Sequence, residues 1–141
     1  MSDNSKWALA LGYAGVVPVA GLLVLAWSGA WQHQAVNSAI IYAALILSFL
    51  GGIHWGFATS GFASKEHFLV SVVPSLWAWM VFAAPDFFTL LGIIFGLITF
   101  LVYEQRCDLI EKYPEWYLPL RKHLTFGLSI SLAGLLPIAL Q

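Results

Sequence analysis

The sequence predicts an all-α membrane protein, a bundle of five transmembrane helices with its N-terminus in the cytoplasm and its C-terminus outside. Three observations lead there. First, 60% of the 141 residues are hydrophobic and only 9% are charged, where a soluble domain has about a quarter charged. A soluble fold of this length could not cover so much apolar surface. Second, the charges leave long gaps. None occurs from Trp7 to Ser64, from His67 to Pro85, from Phe87 to Tyr103 or from His123 to Gln141. Crossing the hydrocarbon core takes roughly 20 apolar residues, with a range of about 17 to 25, so the first gap holds two helices and each of the others one. Third, Lys6, Lys65, Arg106, Lys112, Arg121 and Lys122 are all the Lys and Arg of the chain, and five crossings put them on one side. Asp86 is the only charge on the other. The positive-inside rule then orients the bundle.

Helix 1 is expected at about 7–27, with Pro18 kinking it and freeing a carbonyl that a neighbour must satisfy. Its apolar stretch is followed by no small-x-small cleavage site and reads as a retained helix. Helix 2, about 36–60, is the one the others gather around. Ser48, Gly52, Gly56 and Ser60 recur every fourth residue, a row that lets a second helix approach closely. His54 lies about 200° round the helix from Gly52 and faces away from that row. Helix 3, about 67–84, carries Pro74. The turn at Ala84-Pro85-Asp86 forces helices 3 and 4 into an antiparallel hairpin. Helix 4, about 87–106, has its own packing row at Gly92 and Gly96 and can continue to about Lys112. Tyr113 to Pro119 mixes aromatics with prolines and fits an interfacial segment. Helix 5 follows at about 124–140. No repeat or linker divides the chain, so residues 1–141 read as a single domain.

The polar residues gather on the basic side. His54, Tyr103, Glu104, Arg106 and Arg121 predict an inner-leaflet pocket, with His54 and Glu104 as proton donor and acceptor, an arginine balancing charge, and Trp55 in the apolar wall. Ionisable groups at membrane depth are functional candidates, and such a pocket suits a quinone headgroup or half of a proton path. The alternative is structural: His54 would bond a carbonyl freed at Pro18 or Pro74, and Glu104 would pair with Arg106 or Lys65. Metal or haem has weaker support, since His54, His67, His123 and Glu104 come from different helices with no HxxxH or HExxH pair. The single Cys107 excludes an intrachain disulfide and a CxxC pair. A net charge of −1 gives nothing for nucleic acid, and no GxSxG or Cys-His arrangement points to nucleophilic catalysis.

Three stretches carry a resemblance: Leu11 to Pro18, Ile46 to Gly56 and Tyr113 to Arg121. Together they resemble the domain-of-unknown-function 3429 family of transmembrane protein 69-like proteins. The resemblance covers nearly the whole chain. It implies a small polytopic protein of the bacterial or mitochondrial inner membrane and brings no activity with it. With many packing faces and little chemistry, the leading expectation is a non-enzymatic accessory or assembly subunit of a larger membrane complex. A respiratory complex is the natural candidate. The rivals are a quinone or lipophilic-cofactor binding protein using the inner-leaflet pocket, and a homo-oligomer that self-associates through the Ser48/Gly52/Gly56 row.

Overall fold

The computed structural model describes residues 3–141, and every regular element among them is helical. Seven helical segments form five rods. The first rod is α1 (Asp3–Ala14) and α2 (Val17–Trp27). Pro18 sits in the first turn of α2, where a missing N–H costs nothing, and Gly15 and Val16 make the break before it. The predicted kink is thus a full interruption. The neighbour that answers it is Tyr42, whose hydroxyl donates to the Gly15 carbonyl at 2.8 Å.

The second rod, α3 (Gln32–Thr59), is 28 residues long and about 42 Å at 1.5 Å per residue. It is the central helix, as the sequence predicts. Its buried stripe runs through Val36, Ile40, Ala43, Leu47, Leu50, Gly51 and His54, the three-and-four spacing of one helical face. The close contact differs from the one expected. A Cβ on Gly51 would collide with the Ser71 carbonyl and meet the Pro74 ring of α4 (Glu66–Val81), whereas Gly52 and Gly56 have nothing within 4 Å. Among the described residues, no helix packs against Gly52 or Gly56, the middle of the row Ser48, Gly52, Gly56, Ser60. Ser48 is half-buried and the other three are exposed. The internal seam lies one residue, or about 100°, away.

At 16 residues, α4 covers about 24 Å, less than the roughly 30 Å of the hydrocarbon core. Four of the five rods are long and apolar enough to cross a membrane, and α4 is the shorter fifth. Its hairpin with α5 (Asp86–Glu104) is close-packed. A Cβ on Gly92 would press on Val81, and one on Gly96 would press on Trp77 and Leu47. Trp77 Nε1 donates to the Gly92 carbonyl at 2.7 Å, and the Thr89 hydroxyl reaches the Val81 carbonyl at 2.8 Å. Helix α5 stops at Glu104 instead of running on to Lys112. The last rod, α6 (Tyr117–Ala133) with α7 (Leu136–Ala139), begins seven residues before the predicted start at 124. Tyr117 and Arg121 consequently sit on a helix rather than in a loop.

Leu47, Leu90, Ile93, Leu97, Leu132 and Leu135 fill the interior. Phe49, Leu69, Trp79 and Ile130 point outward, as lipid-facing side chains do. At one end of the bundle, Lys112 Nζ donates to the Phe62 carbonyl at 3.4 Å, joining the loops that follow α3 and α5. At the other, Trp27 Nε1 donates to the Gly134 carbonyl at 2.9 Å.

Candidate functional site

The last residue of α5 is a carboxylate with no solvent exposure. Glu104 is fully buried, and so are its partners His54 at 0% and Arg121 at 3%. A buried charge is tolerated only when paired and hydrogen-bonded, and Glu104 is both. Arg121 Nε donates to its Oε2 at 2.8 Å, and Arg121 Nη2 lies 2.7 Å from the same oxygen. The Tyr117 hydroxyl donates to Oε1 at 2.8 Å. Helix α6 supplies these donors from one face, because Tyr117, Arg121 and Thr125 are spaced four apart. The Thr125 hydroxyl accepts from Arg121 Nη1 at 3.4 Å.

From Glu104 the cluster continues toward the basic end. His54 Nε2 is 3.5 Å from Glu104 Oε1. His54 Nδ1 faces His67 Nδ1 at 3.0 Å, and His67 Nε2 meets Asp108 Oδ1 at 2.9 Å. His67 is buried at the start of α4, whereas the Asp108 side chain is 62% exposed in the loop after α5. The hydrogen bond from His67 holds the Asp108 carboxyl below its ordinary range. Phe57, Phe100 and Tyr103 surround the His54 ring at centroid distances of 5.7, 5.3 and 5.7 Å. Beneath the cluster, Tyr113 stacks on Tyr117 at 4.6 Å. Burial, and then its contact with Cys107, push the Tyr113 hydroxyl well above the usual phenol range. The result is a polar line from an exposed carboxylate to a buried one.

Of the residues expected to form the site, His54, Glu104 and Arg121 meet, and Tyr103 lies against them. Trp55 does not: it is half-exposed and packs edge-on against Phe68. Arg106 is exposed on the loop. The counter-ion of Glu104 is Arg121, not Arg106 or Lys65, and His54 bonds a second histidine rather than a carbonyl freed by proline. His123 is engaged elsewhere, accepting from or donating to the Tyr13 hydroxyl at 2.8 Å. His67, Asp108 and Tyr117 are the participants that sequence reasoning did not assign. The spacing of Tyr117, Arg121 and Thr125 was a usable sign, hidden by the prolines around it. Asp108 carried none.

Two apolar grooves flank the line. One, of about 410 Å³, runs along α1, α3 and α6 past Leu11, Gly12, Phe49 and Ile53 and ends at Tyr117 and Arg121. The other, of about 320 Å³, lies between α4 and α5 over Leu47, Pro74, Trp77 and Gly96 and ends at Tyr103. Arg121 is among the residues that line the first groove. Nη2 is buried and makes no well-aligned hydrogen bond despite its closeness to Glu104, because Nε and Nη2 crowd a single oxygen.

No solved structure matches the chain. It is 35% identical to transmembrane protein 69 of Xenopus tropicalis over 95% of its own length and 55% of that protein's. To transmembrane protein 69 of Mus musculus it is 26% identical over 84% of its own length and 51% of the other's. The chain thus spans about half the length of these relatives. It is a multi-pass helical membrane protein, and the match over residues 4–137 to the model for proteins of unknown function DUF3429 means that it belongs to that family.

Proposed function

We propose that this protein binds a lipid-soluble molecule of the quinone class, tail in the α1/α3/α6 groove and carbonyl head at Arg121 and Tyr117. The observation that carries it is an apolar groove whose few polar lining residues include Arg121 and Tyr117, Arg121 Nη2 being buried and without a well-aligned hydrogen bond. Lipophilic sites have this build: mostly apolar walls with a few polar groups that fix orientation. Arg121 is already anchored by Glu104, so a carbonyl oxygen arriving there takes up a donor without disturbing the ion pair. The reading covers binding alone. Its setting is the inner membrane, with the head of the groove at the cytoplasmic leaflet where the basic residues lie.

The test is saturable binding of decylubiquinone to the protein in nanodiscs, compared with empty nanodiscs. Ala8 lines the groove and takes no part in the ion pair, so Ala8→Phe should fill it and weaken binding at least about tenfold, a loss on the order of 1.4 kcal/mol. Partition equal to that of empty discs, or an unaffected Ala8→Phe, overturns the reading.

The accessory-subunit reading keeps one supporting observation, the outward row of Gly52, Gly56 and Ser60. It is open to a helix from a membrane-protein partner or a second copy of this chain. Gly52→Leu should then abolish co-purification with the partner in mild detergent. A protein that migrates alone before and after the change argues against it.

A further inference from the structure

His54 and His67 meet in a way that fixes how many protons they share. Their Nδ1 atoms are 3.0 Å apart, the ring planes are inclined by 8° and the centroids are separated by 5.2 Å. That separation is close to the Nδ1–Nδ1 distance plus the two ring radii. The rings therefore meet edge to edge, nearly in one plane, which is the alignment an N–H···N bond needs. One proton fits between them. The two outer nitrogens both face carboxylates, His67 Nε2 at 2.9 Å from Asp108 and His54 Nε2 at 3.5 Å from Glu104.

Two neutral imidazoles carry two ring protons. With one lodged between the rings, a single proton remains for two outer nitrogens, and the other must turn a lone pair toward an anion. For His54 Nε2 the cost is high, because it is fully buried with no other hydrogen-bond partner, and an unmet polar atom is expensive in a dry interior. A third proton removes the conflict. Both outer nitrogens then donate, the inner proton is shared, and the charges cancel: Asp108 and Glu104 against Arg121 and one imidazolium. The titratable and charged groups around the pair are Glu66 on α4, Tyr103 and Glu104 on α5, Asp108 after it, and Tyr117 and Arg121 on α6.

We propose that His54 and His67 together hold one extra proton and form a reversible one-proton relay between Asp108 at the surface and buried Glu104. Loading starts from the two-proton pair, with protons on His54 Nε2 and His67 Nδ1: His67 Nε2 takes a proton from the Asp108 side, which gives the three-proton state, and the His67 Nδ1 proton crosses to His54 Nδ1. His54 then gives its Nε2 proton to Glu104 Oε1 as the gap between them closes. No electrons move. Glu104 ends as a neutral carboxyl, and both imidazoles end in the opposite tautomer. The reverse passage restores them. A second proton in the same direction needs both rings to turn over, which Phe57, Phe100 and Tyr103 obstruct. The device loads and unloads one proton and does not conduct. It deepens the quinone reading by giving the head of the groove a proton source, yet the proton count belongs to the ligand-free protein, so the two can fail separately.

Nitrogen-15 NMR of histidine-labelled protein in nanodiscs counts the protons directly. His33→Gln and His123→Gln, both at exposed positions, leave only the two rings in the spectrum. Three protonated ring nitrogens of the four are expected at pH 7, with coupling across the Nδ1 pair; two protonated nitrogens overturn the proposal. Asp108→Asn is a surface change that spares the fold, and it should lower the fraction of pairs with a third proton about threefold or more, because a nearby anion is lost. An unchanged fraction removes Asp108 from the relay and overturns the path to the surface.

Discussion

At the scale of single residues, the molecule turns on one buried carboxylate. Glu104 and Arg121 lost their hydration when the bundle closed, and their attraction compensates only while both are present. Removing one partner of a buried pair costs about 3–5 kcal/mol, whereas replacing both by apolar groups of similar size is often close to neutral. Glu104→Gln should therefore lower unfolding stability in detergent by about that much, and Glu104→Leu/Arg121→Met should recover most of the loss. A double variant worse than the single would mean that the pair stabilises more than it costs to bury. Asp108 gives the pH dependence. Its carboxyl is held below the ordinary range by His67, so the folded state favours the anion. The contribution is present above the unfolded Asp value of about 3.9 and is lost as pH falls through the lower folded value. Because the carboxylate is exposed, it is on the order of 1 kcal/mol or less. Below the unfolded Asp value the difference in melting temperature between the parent and Asp108→Asn should shrink and vanish in strong acid. A gap that persists or widens as pH falls through that acid range would contradict the sign. Sequence made His54, Glu104 and Arg121 visible, because ionisable groups beside long apolar runs are conspicuous. Which arginine balances Glu104 was not visible, because it depends on α5 stopping at 104 and α6 starting at 117. Neither boundary carries a strong local signal.

At the scale of elements, the informative comparison is between adjacent glycines. Repeats of small residues every fourth position say that a helix can be approached closely, but not which row is approached. On α3 two such rows coexist. Ser48, Gly52, Gly56 and Ser60 form the obvious one. Ala35, Ala39, Ala43, Leu47 and Gly51 form the buried one, and its single leucine disguises it. The second row was in the sequence, and continuing the alanines to Gly51 would have found the α4 seam. The hairpin of α4 and α5 was easier, since a short turn at Pro85 leaves no other arrangement, although Gly96 meets Leu47 of α3 as well as Trp77 of α4. The consequence is a sharp pair of expectations. Gly51→Ala drives a methyl into the Ser71 carbonyl, and overpacking of that kind costs about 1–3 kcal/mol. Gly52→Ala meets nothing within 4 Å and should be neutral or stabilising by roughly 0.5–1 kcal/mol, the helical preference of alanine over glycine. Reversible unfolding in mixed micelles reads both. Equal effects would mean that α3 is rotated from the position described.

At the scale of the whole molecule, the question is which end of the bundle faces the cytoplasm, and the short α4 bears on it. Were α4 to lie along the surface, the number of crossings would be four and both termini would share a side. Its contacts oppose that. His67 at its start meets Asp108 beyond the end of α5, while Val81 at its finish packs on Gly92 and accepts from Thr89 near the beginning of α5. Helix α4 therefore runs the length of the bundle antiparallel to α5. It falls roughly 6 Å short of the hydrocarbon thickness, a mismatch of the size that local thinning of a bilayer accommodates. With an odd number of passages, the N-terminus and the loops after α3 and α5 lie at one end, together with every Lys and Arg of the chain. The positive-inside rule predicts that this end faces the cytoplasm. A green fluorescent protein fused after Gln141 should be dark in a bacterial host, and alkaline phosphatase at the same position should be active. The opposite result would move Asp108 and the open end of the proton line to the outer face, so that protons would be exchanged with the other compartment.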